Sequence, residues 1–336
     1  MILMENVLLS GLTTLRVGGP VRYLAACGSE SDVVEAVAFA REHALAYLVL
    51  GEGSNVLASD AGFEGVVISM RMPGIETSEE GNDVILKTGA GVRWDDLVRY
   101  AAERSLWGIE NLAGIPGTVG AAPVQNIGAY GMEVKDTISE VRVLDTKTGE
   151  IRLFSNQDCA FGYRDSRFKR EEGLIILSVS FRLKRDGTPS LGYKDLQALI
   201  DAGEDLSTPT AIGEAVRAVR ARKFPDLAVY GTAGSFFKNP TVSEAAYAEL
   251  VKRYEGIPGF PNDEGVKVPL AFVLDKVLGL RGHRVGNVSL FEAQPLVLVA
   301  YDGATADEID AFADDIAKRV YAATGIMIER EVRTFG

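Results

Sequence analysis

Histidine and cysteine are scarce in this sequence, and each shortage excludes a kind of chemistry. The chain of 336 residues has two histidines, His43 and His283, and neither lies in an HxxxH or HExxH pattern. The two cysteines, Cys27 and Cys159, are far apart and form no CxxC pair. Because transition metals prefer histidine and cysteine ligands, we expect no metal site. Unpaired cysteines are typical of a reducing compartment, so we expect a cytoplasmic protein.

Positive charge and long apolar runs are also lacking. The formal net charge is −12, which argues against a broad basic face and therefore against a nucleic-acid partner. The longest apolar runs, such as residues 295–300, have the length of a strand, whereas a membrane span needs about 20 residues. The first ten residues contain no Lys or Arg, so they do not resemble a signal peptide. We expect no membrane insertion and, because no exposed apolar helix demands a partner, a monomer.

The chain has ample material for a core, since 47% of its residues are hydrophobic, and its length favours about two domains. Apolar residues at helical spacing predict a helix over 31–45, with Ser31 as its N-cap. Strands are predicted on either side, at 22–27 and 46–50. This order is typical of a strand–helix–strand crossover.

The rest of the chain alternates strands and helices in a mixed pattern. A hairpin is predicted at 140–155 with Gly149 in its turn, and Thr305 with Glu308 forms a capping box for a helix that Gly325 ends. The other predicted elements are a strand at 174–183, helices at 208–223, 243–254 and 268–278, and a final strand at 326–335. Pro, Gly and Asp residues near 203–209 indicate a domain boundary.

Two glycine-rich stretches are candidates for phosphate binding. The first, "GEGSN" at 51–55, directly follows a predicted buried strand, and the second, "GIPGTVGAAPVQNIGAYG", spans 114–131. Glycine lets backbone N–H groups approach a ligand, and successive N–H groups can cradle phosphate oxygens. Neither stretch is a P-loop or a GxGxxG fingerprint. Two separate glycine loops could hold one dinucleotide, although glycines that merely build tight turns are the simpler explanation for either loop alone.

Five motifs in order resemble one family. They are "LGEGSNVL" (50–57), "NLAGIPGTVGAAPVQNIGAYG" (111–131), "FGYRDSRFK" (161–169), "GTAGSFFKNP" (231–240) and "EVR" (331–333). Together they are similar to those of the UDP-N-acetylenolpyruvoylglucosamine reductase family (MurB), over roughly residues 12–335. The resemblance implies an α+β protein with a VAO/PCMH-type FAD-binding domain in two subdomains and a C-terminal α+β substrate-binding domain.

The resemblance also implies domain limits and a reaction. The FAD-binding domain is expected at 12–205, with subdomains of about 12–70 and 71–205, and the substrate-binding domain at 206–335. Non-covalently bound FAD is reduced by NADPH as co-substrate. The reduced flavin then converts the enolpyruvyl ether of UDP-N-acetylglucosamine to the lactyl ether of UDP-N-acetylmuramate, in peptidoglycan precursor synthesis.

Three residues match the catalytic positions of the family: Arg164, Ser235 and Glu331. A serine nucleophile normally needs a histidine base, and no histidine lies near Ser235 in the sequence. By resemblance, Ser235 is instead the proton donor to the enolate that hydride addition leaves behind. Arg164 offers a planar, permanently charged group for the substrate carboxylate. By resemblance, Glu331 is expected to polarise the same carboxylate, either as the protonated acid or through a shared proton, because an ionised group would repel it.

The other expected contacts also follow from the motifs. The FAD-binding residues implied are Gly51, Gly53, Ser54, Asn55, Val56, Gly114, Pro116, Gly117, Gly120, Gln125, Asn126, Gly128 and Ala129. The substrate-binding residues implied are Tyr163, Tyr193, Lys223, Asn239, Phe260 and Gln294. The chain departs from the family pattern at Phe260, where a tyrosine is expected in a long-form loop that covers the substrate, and at Phe291 and Pro295. Without that phenol, substrate affinity would depend more on Lys223.

Two alternatives remain open at this point. One is a non-covalent FAD oxidase of the same fold that acts on an alcohol or a sugar acid. Oxidases that tether FAD do so through His or Cys, and neither glycine loop contains one. The other is a regulator that binds flavin or a nucleotide sugar without catalysis, which would not need the three catalytic residues.

Overall fold

The computed structural model describes residues 1–336 and has the mixed α+β content that the sequence predicts. The helices are α1 (Glu30–Glu42), α2 (Trp94–Ala102), α3 (Arg167–Arg170), α4 (Lys194–Asp201), α5 (Pro209–Lys223), α6 (Glu244–Arg253), α7 (Leu270–Phe272) and α8 (Ala306–Thr324). The strands up to residue 145 are β1 (Ile2–Leu8), β2 (Pro20–Cys27), β3 (Tyr47–Leu50), β4 (Val56–Ala58), β5 (Phe63–Met70), β6 (Ile75–Glu80), β7 (Asp83–Gly89), β8 (Gly128–Ala129), β9 (Met132–Glu133) and β10 (Ile138–Asp145). The later strands are β11 (Glu150–Ser155), β12 (Leu174–Lys184), β13 (Thr241–Val242), β14 (Phe260–Asn262), β15 (Gly265–Lys267), β16 (Arg284–Val285), β17 (Val288–Leu290), β18 (Leu298–Ala300) and β19 (Arg333–Phe335).

The chain forms two compact units, and each draws on separate stretches of sequence. The first unit comprises Met1–Val7, Val21–Glu52 and Glu64–Arg220. The second comprises Leu8–Pro20, Gly53–Phe63 and Ala221–Gly336. The chain therefore passes from one unit to the other within its first glycine loop, after Glu52. The division into functional domains at residues 205 and 206 stays a prediction.

One sheet of the first unit is covered by α1. Its strand order is β1-β2-β5-β3, and β3 lies parallel to β5. Buried residues of α1, among them Val33 and Val37, share a core with Val66 and Ile68 of β5. The predicted strand–helix–strand at 22–50 is thus present as β2, α1 and β3, with β5 between the two strands in the sheet.

The second sheet of the first unit is antiparallel, with the order β11-β10-β12-β7-β6. The predicted hairpin at 140–155 is confirmed as β10 and β11, and Gly149 in its turn has φ of +78°. This sheet packs on α2 and α5, where Trp94 lies edge-on to Phe181 with ring centroids 5.7 Å apart. Ile212 and Val216 of α5 belong to the same core. These packed helices carry the charged residues that hold the second glycine loop.

The second unit is built around α8 and three small sheets. The sheet orders are β13-β15-β14, β16-β17-β18 and β19-β4. Ile309, Phe312 and Ile316 of α8 share the core with Phe236 and Phe237. The core therefore backs the segment that carries Ser235.

Helix caps were predicted with mixed success. The box at Thr305 and Glu308 is confirmed, and Gly325 ends α8 with φ of +72°. Ser31 as the N-cap of α1 is wrong, because Ser29 caps the helix and Asp32 completes its box. A box needs an acceptor side chain three residues after the cap, and the residue three after Ser31 is a valine.

Two other predictions fail in part, both in the second unit. The predicted helix at 268–278 is a single turn, α7, followed by a π-helical turn over Val273–Val277. The predicted strand at 326–335 is limited to β19, which pairs in parallel with β4. Just before β19, the Glu331 N–H donates to the carbonyl of Phe236 instead, so the chain leaves the β4 pairing there.

Candidate functional site

Residues 231–237, here called the serine segment, run between two other stretches of the second unit. The Phe236 N–H donates to the Leu296 carbonyl at 2.8 Å, and the Phe236 carbonyl accepts from the Glu331 N–H at 2.8 Å. Ser235 also pairs with Val297 in an isolated antiparallel bridge. The backbone of Glu331 is therefore fixed beside the residue that follows Ser235.

The two phenylalanines anchor the serine segment in the core. Phe236 is 0% exposed and Phe237 is 1% exposed, with ring centroids 5.3 Å apart. Ser235 itself is half-buried, and Gly234 before it has φ of +74°. The left-handed conformation of Gly234 turns the chain just before the hydroxyl-bearing residue, and a residue with a side chain would be strained there. Ser235 is thus held at the edge of an apolar core.

The first glycine loop, residues 51–56, meets the C-terminal stretch through its second half. The Asn55 carbonyl accepts from the Arg333 N–H at 3.2 Å, and the Asn55 Nδ2 donates to the Glu331 carbonyl at 3.3 Å. From Val56 onward the chain continues as β4, paired with β19. The first glycine loop, which is predicted to bind FAD, is therefore hydrogen-bonded within the second unit to the backbone of Glu331, a predicted catalytic residue.

Glycines of the first loop are required by close packing. A Cβ on Gly53 would lie 2.2 Å from the Leu12 carbonyl oxygen, and Gly53 has φ of +64°. A Cβ on Gly51 would lie 2.5 Å from Oγ1 of Thr118, a residue of the second glycine loop. Gly51 and Thr118 both belong to the first unit. No side chain fits at either position without a shift of its neighbours. Ser54 and Val56 in the same loop are half-buried.

The second glycine loop, taken together with residues 111–113 as 111–131, is held by two carboxylates. The Gly114 N–H donates to Oδ1 of Asp95 at 2.7 Å, and the Gly117 N–H donates to Oε2 of Glu52 at 2.8 Å. We expected both N–H groups to face a phosphate, but in the structure they bind side chains of the protein. These two hydrogen bonds fix the shape of the loop, so the N–H groups of Gly114 and Gly117 are already bonded within the protein.

Two arginines of α5 also help to hold Gly114. Arg217 donates through Nε to both oxygens of Asp95 at 3.0 Å, and Arg220 donates through Nε to the Gly114 carbonyl at 3.0 Å. Burial raises the pKa of Asp95, but hydrogen bonds from Arg217 and from the Gly114 N–H outweigh it and lower the pKa overall. The Arg220 guanidinium lies against the loop, and its burial there lowers its pKa.

Among the remaining loop residues, Asn126 and Gly120 are packed closely within the first unit. Asn126 is fully buried with φ of +46°; its Nδ2 donates to Glu133 and to the Gly162 carbonyl, each at 3.0 Å, and its Oδ1 accepts from the Lys135 N–H at 3.1 Å. Gly120 lies so close to Ala90 that a Cβ would approach the Ala90 Cβ to 2.6 Å. Pro116 is exposed, Gln125 is half-buried, and Gly128 and Ala129 form β8. Asn126 therefore maintains the conformation of the loop.

Arg164 lies at the tip of a tight turn. The Gly162 N–H donates to the Asp165 carbonyl at 2.9 Å, and the Asp165 N–H donates to the Gly162 carbonyl at 3.3 Å. Arg164 has φ of +52°, a conformation that costs a residue with a side chain about 1–3 kcal/mol. Such strain persists only where the surrounding structure fixes the conformation, and it is found often at functional sites.

The turn is tied to the second glycine loop. Arg164 Nη2 donates to the Gly128 carbonyl at 2.8 Å, and the guanidinium lies 5.4 Å from the ring centre of Tyr163. Fully buried Ser166 donates through Oγ to the Val124 carbonyl at 2.7 Å. The structure thus brings Arg164 and Gly128, predicted to bind substrate and FAD respectively, into direct contact.

Two tyrosines form an aromatic pair in the first unit. Tyr193, at the N-cap of α4, lies edge-on to Tyr130 with ring centroids 5.2 Å apart. Burial raises the pKa of Tyr130 to about 12, and burial together with the charge of Asp195 raises the pKa of Tyr193. Both phenols therefore stay protonated at neutral pH and can donate hydrogen bonds. Tyr193 is 45% exposed and Tyr163 is 43% exposed, so both are accessible to a ligand.

The other predicted substrate contacts lie in the second unit. Asn239 Oδ1 accepts from the Leu270 N–H at 2.9 Å, which caps the turn of α7. Phe260, on β14, is 56% exposed. Gln294 lies in a turn, where its own carbonyl accepts from the Val297 N–H at 3.0 Å. Lys223 is the half-buried last residue of α5. Contact of these side chains with a substrate stays a prediction.

Sequence reasoning missed Glu52 and Asp95. Glu52 lies inside a motif that was quoted only for its glycines, and Asp95 follows Trp94 in the first turn of α2. A signal was available, because an acidic residue next to a glycine loop of orphan N–H groups is a natural acceptor. Their partners could not be assigned without the fold.

The site fits a flavin dinucleotide by its chemistry. The second loop has a fixed backbone and a half-buried cation, Arg220, beside Gly114, which suits the anionic diphosphate of FAD. No group of three or more His, Cys, Asp or Glu residues is arranged to hold a metal ion. No helix combines the length and the apolar character that crossing a bilayer demands.

Two family models match the chain and define its class. Residues 21–155 match an FAD binding domain, and residues 226–335 match the C-terminal domain of UDP-N-acetylenolpyruvoylglucosamine reductase. The chain is thus a flavoprotein with a VAO/PCMH-type FAD-binding domain followed by a second α+β domain, as predicted.

Relatives narrow the assignment. The chain is 40% identical over 327 residues to UDP-N-acetylenolpyruvoylglucosamine reductase of Pseudomonas syringae pv. syringae, covering 96% of both chains. It is 41% identical over 290 residues to the enzyme of the same name from Bdellovibrio bacteriovorus, covering 85% of this chain and 86% of that one. The crystal structure of MurB from Thermus caldophilus aligns over 100% of both chains with 25% identity and a TM-score of 0.69. The chain belongs to the UDP-N-acetylenolpyruvoylglucosamine reductase (MurB) family.

Proposed function

We propose that this chain reduces UDP-N-acetylglucosamine enolpyruvate to UDP-N-acetylmuramate, with FAD as cofactor and NADPH as co-substrate. Its FAD-binding domain and the names of its relatives support this activity. The C-terminal match to the reductase family favours it over the alternative of an alcohol or sugar-acid oxidase. Two-electron transfer from NADPH to the substrate double bond is the chemistry that FAD supplies when bound.

The chain's own residues bind the substrate carboxylate and move a proton. Arg164 binds the carboxylate, and Glu331, as a protonated acid, donates a second hydrogen bond to it. Each well-placed donor to a developing negative charge contributes about 3–4 kcal/mol to the transition state. Ser235 Oγ gives its proton to the carbon that carries the excess electron density, and the alkoxide left on Ser235 is reprotonated from solvent after the product has left.

One observation carries these roles. The 2.8 Å hydrogen bond between the Glu331 N–H and the Phe236 carbonyl holds Glu331 beside the serine segment. The buried phenyl rings of Phe236 and Phe237 support the idea that water is excluded next to Ser235. The positive φ of Arg164 supports a required side-chain position in the first unit.

Further assignments belong to the same proposal. FAD is held by the two glycine loops, and the UDP-sugar by Tyr163, Tyr193, Lys223, Asn239, Phe260 and Gln294. The functional domains are 12–205, with subdomains of about 12–70 and 71–205, and 206–335. The enzyme acts as a cytoplasmic monomer without a nucleic-acid partner, which the net charge of −12 and the unpaired cysteines support.

Stopped-flow measurement of the two half-reactions tests the proposal. Ser235→Ala should leave reduction of the flavin by NADPH within about twofold of the parent rate, because this step needs no proton from serine. Reoxidation by the enolpyruvyl substrate should slow by about 10³-fold, in the range of general acid catalysis. Ser78→Ala, at an exposed position of β6, is the matched control. Equal damage to both half-reactions would contradict the donor role.

A further inference from the structure

We propose that Asn55 is a positioning residue that sets the location of Glu331. The first glycine loop, which binds the flavin, and Glu331 then form one structural unit. This inference rests on the proposed function. Asn55 belongs to the first glycine loop, 276 residues before Glu331 in the chain, yet its amide donates to the Glu331 carbonyl at 3.3 Å.

Glu331 is held by hydrogen bonds from both sides of its backbone. Its N–H donates to the Phe236 carbonyl at 2.8 Å, and its carbonyl accepts from Asn55. The next anchor is the Arg333 N–H, which donates to the Asn55 carbonyl at 3.2 Å. The serine segment and the flavin loop therefore hold the two peptide groups that flank the Cα of Glu331, one on each side.

The chemistry of the contact requires an amide at position 55. A carbonyl oxygen can only accept, so its partner must be the Nδ2 donor of Asn55. An aspartate has the same shape but offers only acceptor oxygens and would repel the Glu331 carbonyl. Loss of the contact frees the carbonyl side of Glu331, while the N–H side stays bonded to Phe236.

The effect should therefore appear in one half-reaction. Glu331 acts on the substrate carboxylate, so its displacement slows reoxidation by the enolpyruvyl substrate and leaves reduction by NADPH nearly unchanged. A displacement on the order of 1 Å in a catalytic group can cost about 10²-fold in rate. We expect Asn55→Asp and Asn55→Ala to slow reoxidation by about 10- to 10²-fold when FAD is saturating.

A double-mutant cycle with Glu331→Gln separates this role from a purely structural or flavin-binding one. If Asn55 acts through Glu331, Asn55→Ala should slow reoxidation far less in the Glu331→Gln background than in the parent. Asn82→Ala, in the exposed turn between β6 and β7, is the control for the substitution itself. FAD affinity is measured separately by quenching of flavin fluorescence, and all rates are taken on flavin-saturated protein.

The outcomes distinguish the inference from the function on which it rests. A parent protein that does not turn over the enolpyruvyl substrate contradicts the proposed function. A parent that does, together with Asn55 variants that reoxidise at the parent rate, overturns the inference alone. Additive effects in the cycle, or equal slowing of both half-reactions, also overturn it, because Asn55 would then act independently of Glu331.

Discussion

The second glycine loop of the first unit and the serine segment of the second unit carry different parts of the proposed chemistry, and different forces hold them. The loop is fixed by charged side chains: Asp95 and Glu52 accept from its N–H groups, and Arg220 donates to a carbonyl. The serine segment is fixed by backbone hydrogen bonds and by two phenylalanines in an apolar core. The loop should therefore respond to charge, salt and pH, whereas the serine segment should respond to packing.

The difference follows from composition. A loop rich in glycine has few side chains to bury, so its backbone polar groups must be satisfied by neighbouring residues. Asp95 and Arg217 from two packed helices provide that satisfaction for Gly114. The serine segment lies between two extended stretches, so the backbone supplies its own partners and the side chains are free to pack.

The largest expected effect is on packing. Phe236→Ala should lower the free energy of unfolding of the second unit by about 3–5 kcal/mol, because the ring is 0% exposed and its loss leaves a cavity. Phe260→Ala, at a ring that is 56% exposed, is the matched control and should cost about 0.5 kcal/mol or less. Urea unfolding at low and high salt checks the comparison. A loss that shrinks markedly in high salt would show that charge, not packing, holds the serine segment.

The next effect is electrostatic. Asp95→Asn keeps an acceptor for the Gly114 N–H but removes the ion pairs with Arg217 and Arg99. The side chain of Asp95 is 26% exposed and that of Arg217 is 13% exposed. We expect a loss of about 2 kcal/mol at neutral pH and low salt, less than for a fully buried pair. Asp96→Asn, at the exposed neighbour in the same helical turn, controls for the charge of the helix terminus.

The pH dependence of Asp95→Asn has a defined sign. The fold lowers the pKa of Asp95, so its contribution to stability is complete above the ordinary pKa of an aspartate and is lost as the pH falls through the lowered value. The parent and Asp95→Asn proteins should therefore differ at neutral pH and converge in acid, as followed by thermal unfolding. A difference that persists unchanged in acid would assign the effect to packing.

Much of the regular structure could be predicted from the sequence. Residues with a clear period and a cap, such as α8 with Thr305 and Gly325, are where expected. The stretch from 260 to 300 was predicted poorly, because its strands are two or three residues long and show no measurable alternation. The turn over Val273–Val277 is π-helical, which a helical pattern does not distinguish from an α-helix.

The candidate site divides in the same way. Its motif residues, such as Arg164 and Ser235, could be named from the resemblance. The residues that hold the motifs could not, because they act across long separations in the chain: Glu52 and Gly117 are 65 residues apart, and Asn55 and Glu331 are 276 apart. Such pairs depend on the fold and leave no local pattern.

The smallest expected effect sharpens the contrast between charges that support the loop and charges that do not. Glu110 immediately precedes the second glycine loop and is 3% exposed. Burial raises its pKa, although the Gly108 N–H, which donates to Oε2 at 2.6 Å, partly opposes the rise. A raised pKa means that the contribution of Glu110 to stability is complete below the ordinary pKa of a glutamate and is lost as the pH rises through the raised value.

Glu110→Gln keeps the acceptor and removes the buried charge, so it should raise Tm by a few degrees at pH 8 and leave it unchanged in acid. Glu103→Gln, an exposed site at the end of α2, should change Tm at neither pH. A lower Tm for Glu110→Gln at pH 8 would mean that this carboxylate, like that of Asp95, holds the loop by its charge.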